Sequence, residues 1–186
     1  MNIEFVNAET SDMSSLQYFV TFIASVKQYV NVREYRTIDK KLHNVYGVAS
    51  SQYTSTGKLI AVYYFIDHRY HRLYKPAIIR FSRGKVDTEE YYVDNRMHNN
   101  HGPACIYYYE DGKLSNVSYW IDGKEHNENG PAEIQYDMAG NVLFTRHFIN
   151  GQGQHGRGHL DFDESKFIHY LENMPIRIPD NIDIEI

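Results

Sequence analysis

The sequence predicts a mainly β protein, an antiparallel β-hairpin repeat array of about five units of 27–28 residues with an N-terminal helix and a short C-terminal helical cap. Three observations lead there. The first is self-similarity: acidic or amide residues stand at Asp39, Asp67, Asp94, Asp122 and Asn150, in steps of 28, 27, 28 and 28. His43, His71, His98 and His126 follow the first four of these at a constant offset, and Pro76, Pro103 and Pro131, each before an Ala, keep the period. Gly57, Gly84, Gly112 and Gly140 keep it too, and a fixed period of this size marks a stack of supersecondary units. The second is composition: aromatics make up 15%, with 17 Tyr and 9 Phe, which suits pleated strands better than helices. The third is alternation, for Ala132, Ile134 and Tyr136 interleave with Glu133 and Gln135, and Ala104, Ile106 and Tyr108 form a matching set.

Taken in order, residues 1–33 form an N-terminal segment in which Leu16, Phe19, Val20, Ile23 and Val30 fall near helical spacing behind Ser11 and Asp12. A capping helix over the first hairpin is expected there. Residues 34–163 form the array. The residue before each periodic Asp or Asn is Ile38, Ile66, Val93, Ile121 or Ile149, always β-branched as a strand prefers. One position earlier stand Thr37, Phe65, Tyr92, Trp120 and Phe148, which makes the opposite face mostly aromatic. Asp111-Gly112 and Asp122-Gly123 supply turn residues that tolerate positive φ. Residues 164–186 hold a short helix from Glu164 to Met174, broken by Pro175 and Pro179, and then an extended acidic tail.

The run DGKEHNENGPAEIQY resembles a repeat of giant DNA viruses and bacteriophages, in which an Asp-Gly-Lys turn precedes His and Gly-Pro-Ala. It is also similar to MORN repeats, which are β-hairpin units, and FINGQGQHGRGHLDFD is the copy most like them. The period is longer than in standard MORN units, and Gly102-Pro103-Ala104 and Gly130-Pro131-Ala132 are additions. The resemblance implies an extended sheet used for binding or scaffolding, encoded by a virus or phage. It implies no catalysis.

Charge and motifs narrow the function. Net charge is −5, and no segment is expected to supply the basic stripe that general nucleic-acid binding requires. The lone Cys105 rules out an internal disulfide and fits a reducing compartment. The start lacks a basic leader, and Leu16 to Val30 is too short and too polar to span a membrane. Nucleophile elbows, phosphate loops, HEXXH and CxxC are missing. The periodic His and Asp do not make a metal site, because equivalent residues two strands apart are about 10 Å apart while zinc ligands sit about 2.0–2.3 Å from the ion. Aromatic pairs at Tyr63-Tyr64, Tyr91-Tyr92, Tyr107 to Tyr109 and Tyr119-Trp120 put rings on both faces of the sheet.

The expectation is therefore a cytoplasmic, non-catalytic protein-binding module without cofactor, its partner a protein, with Tyr92, Trp120, Tyr108 and Tyr64 as candidate contact rings. In the viral reading the partner belongs to the host or its defences, and an open array leaves edges through which copies could dimerise. The alternative is a small-ligand or nucleotide binder, in which rings stack a base and His98, His126 and Arg96 or Arg146 meet phosphates. A third reading, a hydrolase using loop His and Asp, requires one copy to differ chemically from the rest.

Overall fold

The computed structural model describes residues 4–6, 16–25, 28–37 and 40–154. Strands run in chain order from β1 (Glu4–Val6), β2 (Leu16–Ser25), β3 (Gln28–Thr37), β4 (Ser50–Tyr53) and β5 (Leu59–Tyr63) to β6 (Phe65–Ile66) and β7 (Arg69–Tyr70). Next come β8 (Ile78–Ser82), β9 (Lys85–Glu90), β10 (Tyr92–Val93), β11 (Arg96–Met97), β12 (Cys105–Tyr108) and β13 (Leu114–Ser118). The last are β14 (Trp120–Ile121), β15 (Lys124–Glu125), β16 (Glu133–Tyr136), β17 (Val142–Arg146), β18 (Phe148–Ile149) and β19 (Gln152–Gly153). Eleven strands form one antiparallel meander, ordered β1-β2-β3-β4-β5-β8-β9-β12-β13-β16-β17. The remaining eight make four small ribbons, β6-β7, β10-β11, β14-β15 and β18-β19, which lie at one end of the meander. No helix is present among the described residues, and none there is long and apolar enough to cross a membrane.

The expected N-terminal helix is not formed. Leu16–Ser25 is a strand that pairs residue by residue with β3, from Leu16 opposite Thr37 to Ser25 opposite Gln28. Tyr18, Phe19, Val20, Thr21, Phe22 and Ile23 are an unbroken run of aromatic and β-branched residues, which lose side-chain freedom in a helix and pack well on a pleat. The free edge of β4 supplies the non-local partner, for β3 pairs with it from Asn31–Tyr53 to Glu34–Ser50. The C-terminal helix, the tail and the turn at Ile38-Asp39 lie outside the described residues.

Strand register sorts the side chains onto two faces. On one, Val62, Ile79, Glu89, Ile106, Val117 and Ile134 oppose each other in a single row across β5 to β16. Ile106, Val117 and Ile134 are fully buried there, and Tyr64, Tyr91 and Tyr136 extend the core. The other face is largely polar: Glu90 binds Arg80 and accepts from the Tyr92 hydroxyl, Asn116 and Arg146 donate to Glu133, and Trp120 Nε1 donates to Ser118. At the end away from the ribbons, tight turns carry Gly57, Gly84, Gly112 and Gly140 at φ of 80° to 93°, which explains that periodic glycine.

At the ribbon end one backbone pattern recurs. Tyr35, Tyr64, Tyr91 and Tyr119 donate N–H to the carbonyls of Ala49, Ala77, Ala104 and Ala132, and their own carbonyls accept from His43, His71, His98 and His126. Each of those four alanines has no exposed surface, so the chain crosses there with room for a methyl group alone.

Candidate functional site

The periodic His and Asp meet as a junction between successive ribbons. Asp67-His68, Asp94-Asn95 and Asp122-Gly123 occupy the two central positions of ribbon turns with both φ positive, the type I′ pattern. The N–H of Asp67, Asp122 and Asn150 donates to Nδ1 of His43, His98 and His126 in the preceding loop, each at 3.1 Å. At the other junction, His71 Nδ1 lies 3.1 Å from Asp94 Oδ1. Two more bonds accompany these: His68, Asn95, Gly123 and Gly151 donate to Leu42, Tyr70, Met97 and Glu125, while Asn44, Arg72, Asn99 and Asn127 donate to Phe65, Tyr92, Trp120 and Phe148. The rings of His43, His98 and His126 are thus engaged with backbone and that of His71 with a carboxylate, and among the described residues no group of three His, Cys, Asp or Glu could hold a metal.

The sequence-derived candidates do not converge. Tyr64 is buried beneath the Arg72 guanidinium, which lies 3.6 Å from its ring centre. Tyr108 donates to Glu89 at 2.9 Å on the core face, and the combination of burial and that carboxylate pushes its phenol upward. Tyr92 and Trp120 stand on separate ribbons, bonded to Glu90 and Ser118 and packed against the two apolar clusters. His98 and His126 belong to separate junctions, and Arg96 is exposed on a ribbon, its side chain 3.7 Å from where a Cβ on Gly123 would sit. Cys105 is buried, and burial raises its thiol to about 11, the wrong direction for a nucleophile.

Sequence reasoning missed the loop tips. Residues 44–48, 72–76, 99–103 and 127–131 are equivalent loops leading into the buried alanines. In three of them the first residue is Asn: Asn44, Asn99 and Asn127 donate from Nδ2 to Val48, Pro103 and Pro131 carbonyls at 2.8 Å. Their Oδ1 atoms accept from Tyr46, His101 and Asn129 N–H at 3.0 Å, an Asx turn that fixes each tip. The first two tips carry Val45-Tyr46 and Leu73-Tyr74, exposed by 57%, 84%, 56% and 76%, where the later tips carry Asn100-His101 and Glu128-Asn129. Aligning the units on the buried Ala would have exposed that difference.

Between the first two loops lies a cleft of about 330 Å3 lined by Asn44, Tyr46, Tyr64, His71, Arg72 and Leu73 among others. A second, more open one of about 610 Å3 lies across the first ribbons, lined by Leu42, Phe65, His68, Tyr70, Tyr92 and Asn95. Neither is lined by His98, His126, Arg96 or Arg146.

Charge is also divided along the meander. Residues 40–86 hold nine Lys and Arg (Lys40, Lys41, Lys58, Arg69, Arg72, Lys75, Arg80, Arg83, Lys85) against the single carboxylate Asp67, a net of +8. Residues 87–154 hold eleven carboxylates against Arg96, Lys113, Lys124 and Arg146, a net of −7. The overall −5 averages this contrast away. No protein-family model matches the chain, and no curated protein or solved structure matches it either.

Proposed function

We propose that residues 34–163 are a non-catalytic β-hairpin repeat module, of the MORN-like kind the sequence resembles, that binds another protein through the tips of its ribbon-end loops. The observation that carries this reading is the exposure of Val45, Tyr46, Leu73 and Tyr74 on adjacent tips. Large apolar and aromatic side chains held in water add little to the fold, the 5.8 Å contact of the Tyr74 ring with His101 included, and Tyr is the residue interfaces favour. The loop hydrogen bonds fix the tips before binding, so little ordering entropy is lost on contact. In the variant that the viral resemblance suggests, the partner is a host protein met in the cytoplasm.

The test is affinity capture from the natural cellular lysate with quantitative mass spectrometry, comparing the wild type with a Tyr46→Ser/Tyr74→Ser double variant. The reading expects a protein enriched by the wild type and lost in the variant, while thermal unfolding is unchanged. Enrichment of the same proteins by both forms, or of none by either, would discard the tips as the binding surface. The clefts support a second reading, a small-ligand binder, and a nucleotide co-purifying with the chain would favour it.

A further inference from the structure

Arg72 breaks the pattern of its loop. Where Asn44, Asn99 and Asn127 make both an Nδ2 bond and an Asx turn, Arg72 keeps only the first, donating from a guanidinium nitrogen to the Pro76 carbonyl at 3.2 Å. The rest of the head lies on the Tyr64 ring. The cost is a half-buried positive charge, and burial pushes the guanidinium down from its ordinary range, only partly offset by Tyr64 and Tyr91. A buried cation is normally paired. Among the described residues no carboxylate lies within ion-pair distance of Arg72, whereas Arg69, Arg80 and Arg83 each have one, in Asp94, Glu90 and Glu110. The Pro76 carbonyl and Tyr64 use only part of the guanidinium's fork of donors.

Its own loop carries the same sign, and the carboxylate beside the cleft-lining His71, Asp94, is shared between His71 and Arg69. Lys75 is exposed on the same loop, and the loops on both sides of the cleft contain no Asp or Glu. The rim is apolar, formed by Val45, Tyr46 and Leu73. We propose that the cleft between residues 44–48 and 71–76 is the docking site for an acidic peptide segment of a protein partner, with Arg72 receiving a carboxylate and Leu73 and Tyr46 flanking an apolar side chain beside it. The proposal rests on the protein-binding reading above and names its chemistry. A nucleic acid fits less well. The exposed cations are split between this end (Lys40, Lys41, Arg69, Lys75) and the opposite turns (Lys58, Arg83, Lys85), separated by a strand length of roughly 15 Å, and Arg69 is already paired with Asp94, so no continuous stripe follows a phosphate backbone.

The units themselves supply the control substitution. Arg72→Asn restores the residue found at three equivalent loops and keeps a donor for Pro76, so the fold is retained while the cation is removed. The full chain is titrated by NMR with a ten-residue peptide alternating Glu and Leu, with its Gln-for-Glu twin, and with a ten-nucleotide oligothymidine. The proposal expects the acidic peptide to shift the Leu73 and Tyr74 amides, the twin to bind roughly tenfold more weakly or worse, and Arg72→Asn to lose the same factor. Equal binding of both peptides, an unchanged affinity in Arg72→Asn, no binding of either peptide, or binding of the oligonucleotide alone would overturn it. Lysate capture that is lost in Tyr46→Ser/Tyr74→Ser yet intact in Arg72→Asn would overturn the acidic-peptide site and leave the tip-binding reading standing.

Discussion

At the scale of single residues, the periodic chemistry of this chain serves its turns. A type I′ turn places a non-glycine residue at positive φ, and Asp67, Asp94, Asp122 and Asn150 take that position at φ of 48° to 52°. In three turns the N–H of that residue finds a histidine Nδ1, so a His→Ala change deprives a strained turn of a partner. His98→Ala is expected to lower stability by about 1 kcal/mol, read as a shift in the urea midpoint at constant slope. His101→Ala, at an exposed tip, should move it by less than about 0.5 kcal/mol. Glu89 gives the pH dependence. It stands in the apolar row between Ile79 and Ile106, and desolvation raises its carboxyl, with the Tyr108 hydroxyl bond pulling the other way. A carboxyl whose folded-state value is raised binds its proton more tightly when folded, so its charge weakens the fold as pH rises through that window and the penalty persists above it. Glu89→Gln, which keeps an acceptor for Tyr108, should stabilise at neutral pH and lose that advantage as pH falls below the ordinary glutamate range. A gain that is independent of pH would show that desolvation of the charge is not its cause.

At the scale of elements, what was legible in the sequence follows the range of the interactions that decide it. The strands β12 and β16 could be read because Ala104, Ile106 and Ala132, Ile134, Tyr136 alternate with period two and become buried as that period demands. The N-terminal hairpin could not, since Leu16, Phe19, Val20 and Ile23 satisfy a helical spacing as well, and the choice falls to a partner strand, β4, more than ten residues away. The ribbons were hidden because strands of two residues carry no periodicity. The tips Tyr46 and Tyr74 do not stand out in the sequence because each is a single ring, while the aromatic pairs that do stand out lie in or beside strands. The Gly-Pro-Ala marker was visible but its reason was not: the alanine is where one unit's tyrosine N–H crosses to its neighbour. Ala104→Val puts two extra methyl groups at a site with no exposed surface and should cost about 1–3 kcal/mol by overpacking, measured by thermal and urea unfolding. A neutral result would mean that the crossing has slack and that the repeated Ala answers to something else.

At the scale of the whole molecule, one strand divides the described meander in two. Glu89 of β9 interrupts the buried row, and the apolar side chains on its two sides fall in separate clusters: Val62, Tyr64, Ala77 and Ile79 before it, with Leu42, Ala49 and Phe65 as a smaller group further toward the N-terminus, and Tyr91, Ala104, Ile106, Val117, Ile134 and Tyr136 after it. The charge changes sign at the same strand, from +8 over residues 40–86 to −7 over residues 87–154. In a meander each strand touches only its neighbours, so stability is a sum of local contributions and adjacent contacts, and a weak row position is where the sum can come apart. The second cluster should therefore open without the first. Ile134→Ala removes a fully buried side chain from that cluster, at a cost of about 2–5 kcal/mol. Native-state hydrogen exchange is then expected to speed up at the amides of β12, β13, β16 and β17, while those of β5 and β8 keep the protection they have in the parent chain. Replacing Glu89 with Leu in the same background would join the two clusters, and the loss of protection should then spread to β8 and β5. If Ile134→Ala alone accelerates every strand equally, the meander folds as one cooperative unit and Glu89 is no boundary.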